Sequence, residues 1–380
     1  MGARGGRLRA AAVAVAAAAA FLSTATPTSY AESKPVVGGE ALASPRIVAG
    51  HGAPPLPGVS AEAWVVADAD TGEVLGARNP HGRYLPASTL KTLTAVALLP
   101  DLDLTKQYQP TFEDVNIEGS RVGLVQSVRY PVAKLVEAML VVSGNDAANA
   151  LANAAGGLPD TVHAMNTTAQ RLQAFDTTAR NPSGLDAPGQ LTSAYDLALI
   201  ARAGLAMPTF AKYVATLRDR VPAPGGKQFE IYNHNKLLTK YRGNIGIKTG
   251  FTVAARHTYV GAARRDGHTI VVTLLRAETL YPDATALLDW GFAALGRTTP
   301  VGRLVDPLPP EQDETHADRS RVAAAPADRA VTRPPGRSRS LPVVPTAGAA
   351  ASLGIVVVLR RRVVRRRSAA SALRLRLPVR

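Results

Sequence analysis

The chain has 380 residues, no cysteine and a formal net charge of +15. Without cysteine it forms no disulfide, no thiolate metal site and no thiol nucleophile. The charge sits at the ends: residues 1–31 carry three arginines and no acid, the stretch from Arg303 onward carries 16 arginines against six acids, and the middle is left with +2, which excludes a folded basic face for nucleic acid.

In chain order, residues 1–31 read as a secretory signal peptide. Arg4, Arg7 and Arg9 precede the apolar run Ala10 to Leu22, and Ser29-Tyr30-Ala31 offers small residues for cleavage. An uncleaved N-terminal anchor is the alternative. Residues 32–60 are rich in Pro, Gly and Ala and read as a linker. Trp64–Ala67 and Glu73–Ala77 are strand-like, with Asp70-Thr71-Gly72 as a hairpin turn between them. The run Thr92 to Leu99, opened by Ser88-Thr89-Leu90-Lys91, is apolar on nearly every side and predicts a buried helix. Short strands are expected at Val122–Leu124 and Val128–Tyr130. A helix over Val132–Val142 halts at Ser143-Gly144-Asn145-Asp146 and resumes over Ala147–Ala155. Further helices are expected over Thr161–Phe175, Thr192–Ala206 with Thr192 or Ser193 as cap, and Thr209–Arg218. Strands follow at Gln228–Tyr232, around Gly246–Thr252, and at His257–Arg264 and His268–Arg276, the last two joined by Arg265-Asp266-Gly267. Pro282–Leu295 is the closing helix.

Strands at both ends with helices between them predict an α/β (α+β) sandwich. An antiparallel sheet is built from both ends of the domain and flanked by helices, with a helical lobe inserted in the middle. The expected domain spans 61–300. Residues 301–340, rich in Pro and Arg, read as a disordered spacer. Leu341 to Leu359 has no charged residue and is followed by a basic cluster from Arg360 to Arg367. That pattern predicts a transmembrane helix over 341–359 and a cytoplasmic tail over 360–380, with the main domain outside the cell. A basic tail without a span is the alternative.

Three short motifs carry chemistry. Residues three apart share a helix face, so Lys91 falls beside Ser88. A serine hydroxyl needs a neighbouring base, and a lysine becomes one when burial or a nearby charge lowers its pKa. Ser143 and Asn145 flank a polar break between helices, and Lys248-Thr249-Gly250 lies in a strand pattern. Taken singly, each has an ordinary reading. Ser88, Ser143 and Asn145 could be helix caps, and Lys248 and Thr249 could be surface strand residues. The seven histidines include no His-Glu-x-x-His arrangement, so no zinc peptidase, metal or cofactor is expected.

Together and in this order, Ser88-x-x-Lys91, Ser143-x-Asn145 and Lys248-Thr249-Gly250 resemble the signature of penicillin-binding proteins and serine β-lactamases. Pro86-Ala87-Ser88, Asp146-Ala147, Asn181-Pro182-x-Gly184-Leu185-Asp186, Asn233-x-Asn235-Lys236-Leu237-Leu238 and Gly246-Ile247 through Phe251-Thr252 narrow this further. They resemble the low-molecular-mass D-alanyl-D-alanine carboxypeptidases. The resemblance covers about Ala61 to Leu295 and implies a β-lactamase/transpeptidase-like fold. It implies removal of the terminal D-Ala from peptidoglycan pentapeptide, with β-lactams as covalent inhibitors and a part in cell-wall biosynthesis and cell shape. In that reading Ser88 is the nucleophile, Lys91 its base and Ser143 a proton relay. Asn145, Lys248, Thr249 and Gly250 bind substrate, and the N–H groups of Ser88 and Phe251 form the oxyanion hole.

Two departures bear on substrate preference. Arg256 follows Ala255 where the family usually has an Ala-Gly pair. The place where some relatives carry a carboxylate-binding arginine falls near Asp283, with Arg276 as a substitute. Two other readings compete. A class A-type β-lactamase is disfavoured by the absence of Glu-x-x-Leu-Asn and by Gly144 in the middle motif. A non-catalytic scaffold that binds cell-wall peptide is disfavoured because every motif member is present.

Overall fold

The computed structural model describes residues 36–309. Its first segment is a 3-10 turn, Glu40–Ala43, followed by β1 (Ile47–Ala49). β2 (Ala63–Asp68) and β3 (Glu73–Arg78) form the expected hairpin, and Gly72 takes the left-handed conformation (φ 79°) that its turn requires. A second 3-10 turn, Ala87–Leu90, runs into α1 (Lys91–Leu98).

The helical lobe comprises β4 (Gln107–Tyr108), α2 (Phe112–Val115), β5 (Tyr130–Pro131), α3 (Val132–Val141), α4 (Asn145–Ala154), α5 (Leu158–Arg171), α6 (Ala194–Leu205) and α7 (Pro208–Ala215). Ser193 caps α6 by accepting from the Asp196 N–H, one of the two caps expected. A hairpin of β6 (Arg218–Pro222) and β7 (Gln228–Tyr232) and the short α8 (Leu237–Lys240) lead back to the sheet. The chain then closes through β8 (Asn244–Thr252), β9 (Arg256–Arg265), β10 (His268–Ala277), α9 (Tyr281–Ala294) and β11 (Gly302–Arg303). Asp266 and Gly267 both have positive φ at the β9–β10 turn, as a tight two-residue hairpin demands.

The main sheet has seven antiparallel strands in the order β1-β3-β2-β10-β9-β8, with β11 also paired to β3. β2 is buried along its whole length because helices cover both faces. Val65 and Ala67 point into a core shared with α1, α3 and α6, and Trp64 and Val66 point into a second core against Leu287, Leu288 and Trp290 of α9. Alternate side chains of one strand therefore serve two apolar layers. This is the expected sandwich, with the sheet drawn from both ends of the domain.

Four expectations change. Residues 36–60 are not linker: Leu42 is fully buried and β1 pairs with Arg78, Ala77 and Gly76 of β3. Residues 301–309 are not spacer: β11 pairs with Val74 and Glu73, and Leu304 is buried. Val122–Leu124 forms no strand, because its N–H groups go to the Asp146 carboxylate instead. The α7 helix ends at Ala215, and Arg218 belongs to β6 rather than to the helix. Among the described residues no helix is long and apolar enough to cross a membrane. The expected signal peptide (1–31), the transmembrane helix (341–359), the tail (360–380) and the spacer beyond residue 309 lie outside the described residues.

Candidate active site

The nucleophile candidate sits in the 3-10 turn rather than at a helix N-cap. A 3-10 turn eclipses residues three apart, and Lys91, the first residue of α1, places its Nζ 3.0 Å from Ser88 Oγ. The turn is held by its flanks. The Pro86 carbonyl accepts the hydroxyls of Thr89 (2.6 Å) and of Thr258 on β9 (2.8 Å). Ala87 adopts a left-handed φ of 48°, a strained conformation for a residue with a Cβ, immediately before Ser88.

Lys91 is fully buried. Its amine has three acceptors: Ser88 Oγ, Asn145 Oδ1 at 2.7 Å and the Ser183 carbonyl at 2.5 Å. Burial first, and the Lys248 charge second, hold its pKa well below the ordinary lysine value, while Asp146 opposes them. Lys248 on β8 is also buried, and desolvation pushes it down to about 7. Its Nζ donates to the Thr249 carbonyl at 2.8 Å.

Asn145 opens α4 and is fixed at both ends of its amide, its Nδ2 donating to the Glu118 carbonyl at 2.7 Å. The neighbouring Asp146 carboxylate accepts the N–H groups of Val122, Gly123 and Leu124 at 2.8–3.0 Å, so the 118–124 loop is sewn over the start of α4. Ser143, in the break between α3 and α4, is buried with a left-handed φ of 63°. It is not among the three acceptors of Lys91.

β8 is the last strand of the sheet, so its outer edge has no strand partner among the described residues. A Cβ on Gly250 would lie 2.9 Å from the Ser88 nitrogen and 2.3 Å from Thr258 Oγ1. The glycine is therefore required first by the close approach of β8 to the nucleophile turn, a nearer cause than room for a peptide along the edge. Thr249 is half-buried, and the Phe251 side chain is exposed and packs on His257 at 4.9 Å between ring centroids.

The structure thus joins Ser88, Lys91 and Asn145 by hydrogen bonds, sets Gly250 against Ser88, and brings Lys248 close enough to act on Lys91 electrostatically. Ser143, Thr249 and Phe251 make no hydrogen bond to that trio by their side chains. Ser183, whose carbonyl holds Lys91, and Thr258, which braces the Pro86 carbonyl, join the site from outside the three motifs. The signal for Ser183 was present in Asn181-Pro182-Ser183-Gly184. Asn181 Oδ1 accepts from the N–H groups of Ser183 and Gly184 and shapes the turn. The turn is tied to the end of β8 by Thr252 Oγ1 and Asp186 Oδ1 at 3.0 Å.

Gly184 has φ 82°, and a Cβ there would meet the Ala87 carbonyl oxygen at 1.9 Å. Gly184→Ala is expected to destabilise the fold by about 2 kcal/mol or more and to slow acylation of Ser88, because Ala87 is forced to move. A denaturant melt together with the acylation rate tests this. Unchanged acylation would show that the loop does not set the nucleophile turn.

The two departures acquire physical roles. Arg256 is exposed, with φ 58°, and starts β9 opposite Thr252. Arg276 is engaged by Glu62 Oε1 at 2.7 Å. Asp283, at the place of the expected arginine, is buried and accepts from Ser60, Ala61 and Thr279, which pins the start of α9 to residues 60–61.

The family described as D-alanyl-D-alanine carboxypeptidase matches residues 51–279. The D-alanyl-D-alanine carboxypeptidase DacB2 of Mycobacterium tuberculosis is 41% identical over 261 residues, covering 67% of this chain and 89% of the relative. A solved penicillin-binding protein homologue from Mycobacterium tuberculosis superposes with a TM-score of 0.64 at 40% identity, over 69% of this chain and 100% of its own. The Streptomyces K15 DD-transpeptidase superposes with a TM-score of 0.60 at 28% identity, over 63% and 100%.

Proposed function

The chain belongs to the D-alanyl-D-alanine carboxypeptidase family, and from that premise we propose that it removes the terminal D-Ala of peptidoglycan pentapeptide through an acyl-enzyme on Ser88. It is a serine-type peptidase of the penicillin-binding kind. The observation that carries the reading is the buried Lys91 amine 3.0 Å from the Ser88 hydroxyl, with its pKa depressed.

The steps follow from the residue types. Neutral Lys91 takes the Ser88 proton as the oxygen attacks the carbonyl of the terminal peptide bond. The Ser88 and Phe251 N–H groups receive the developing oxyanion. The C–N bond breaks, and the D-Ala amine leaves with a proton relayed from Lys91 through Ser143. Water then attacks the ester, its proton passes to Lys91, and Ser88 is restored. Asn145 orients Lys91 and holds the substrate amide. Lys248 and Thr249 receive the terminal carboxylate. The edge of β8, which has no strand partner among the described residues, supports the substrate as an added strand. A β-lactam enters the same path and stays as the ester.

Export and anchoring belong to the same proposal. The apolar run after three arginines at the N-terminus and the uncharged 341–359 stretch before the basic cluster support a domain held on the cell-wall side of the membrane.

Mass spectrometry after penicillin treatment tests the assignment. One added penicillin is expected on the tryptic peptide Tyr84–Lys91, which contains Ser88. An adduct on another peptide, or none, overturns it.

A further inference from the structure

Away from the cleft, three chemically matched side chains from separate segments converge. His81 follows β3, Asp176 follows α5, and Asp196 lies in the first turn of α6. One ligand atom from each lies within 4.8 Å of the other two. His81 Nδ1 is 2.8 Å from Asp176 Oδ2, and His81 Nε2 is 3.1 Å from the Val37 carbonyl. They line a cavity of about 350 Å³ that Val36, Val37 and Phe175 also border, which provides an entry path. The cleft uses none of these groups.

We propose that His81, Asp176 and Asp196 form a structural site for a divalent transition-metal ion with mixed nitrogen and oxygen ligands. Imidazole with two carboxylates suits Zn²⁺ or Mn²⁺ and not Mg²⁺, which prefers oxygen alone. Ligand bonds of about 2.1 Å allow ligand atoms up to about 4.2 Å apart, so a small side-chain rotation closes the 4.8 Å set around one ion.

Two features beyond the cluster support an ion. The Val37 carbonyl can only accept, so Nε2 of His81 carries a proton and the ring is fixed with Nδ1 facing the carboxylates; an ion would take Nδ1 in place of the proton it shares with Asp176 Oδ2, with the kind of orienting bond usual for a ligating histidine. Asp196 is 1% exposed; the Thr177 hydroxyl reaches its Oδ2 at 2.7 Å, and it has no ion pair among the described residues. Its carboxylate accepts that one hydrogen bond among the described residues and lines the cavity, so it keeps lone pairs that an ion could take. A bound ion would clamp the entering segment at Val37, the start of α6 and the 79–86 stretch that leads to Ser88.

The test uses the untagged full chain, stripped with a chelator and titrated with ZnCl₂ by calorimetry, with melting followed in parallel. One Zn²⁺ per chain is expected, with a rise in Tm of roughly 5–10 °C at a hundredfold excess over Kd. His81→Ala and the isosteric Asp176→Asn should each abolish the rise. The rate of penicillin acylation at Ser88 should change by less than about twofold. No Zn²⁺ bound by the unmodified chain, or Zn²⁺ bound equally by both variants, overturns the proposal. If His81→Ala fails to fold, Asp176→Asn decides alone. A cluster that works by protonation only would give pH-dependent melting that Zn²⁺ does not alter, and that result also counts against the site.

Discussion

Ser88→Ala is expected to lower D-Ala release from a pentapeptide ending in D-Ala-D-Ala by about 10⁴- to 10⁶-fold. Lys91→Ala should lower it by a similar factor, and the double variant by little more than either. The reason is the 3.0 Å contact: the hydroxyl is inert without the amine, and every proton the amine moves belongs to the acyl transfer that Ser88 begins. Residues that work as a unit are non-additive. The folded state should survive both changes: Ser88→Ala removes one hydroxyl, and in Lys91→Ala the loss of the donor to Asn145 Oδ1 and the Ser183 carbonyl is offset by relief of a fully buried amine. Initial rates with circular dichroism controls check the set. Fully multiplicative losses would mean that the two residues act in separate steps.

Lys248→Met should raise the stability of the fold while lowering D-Ala release by roughly 10²- to 10³-fold, the usual loss for one donor in such a site. Burial holds Lys248 at about 7, below the ordinary 10.5. Between those two values the unfolded chain carries the proton and the folded chain does not, so stability rises with pH across that window. Below about pH 7 the penalty is complete, on the order of 5 kcal/mol at this burial. Methionine fills similar volume without a charge, so a gain in Tm of several degrees at pH 6 is expected. The gain should shrink as pH rises through the window.

Activity has its own signs. Acylation falls at low pH, where Lys91 is protonated. It falls at higher pH, where free-enzyme Lys248 loses the charge that receives the carboxylate. Since Lys248 depresses Lys91, the methionine variant should move the acid limb to higher pH and lose the alkaline limb. An acid limb that moves the other way, or a variant that melts lower at pH 6, contradicts the argument.

The candidate catalytic set was legible because each motif is local. Ser88 and Lys91 are one turn apart, Ser143 and Asn145 bracket one helix break, and Lys248 to Gly250 share one strand. Their meeting in space could be inferred only from their order. The contacts that aim them were harder to see, because they run through backbone. The Ser183 carbonyl on Lys91 and the Pro86 carbonyl between Thr89 and Thr258 leave no residue pattern. Ser88 was expected to start the helix, yet the helix starts at Lys91 and the serine sits in the tighter turn before it.

Elsewhere, period was the limit. β1 has three residues and β11 has two, too few to show alternation, so their sequences look like linker and spacer. Val122-Gly123-Leu124 looks like a strand because it is apolar, but one carboxylate takes the N–H groups that a neighbouring strand would have taken. The long β9 and β10 and the capped α6 were plain because pattern, turn and cap agree.

β1 and β11 lie end to end along the same side of β3, while β8 forms the opposite border of the sheet. Tension entering the domain from either direction along the chain is therefore taken up at β3, with β2, β10 and β9 standing between it and the strand beside Ser88. A pull arriving through the chain beyond β11 thus meets the sheet at the border farthest from Ser88.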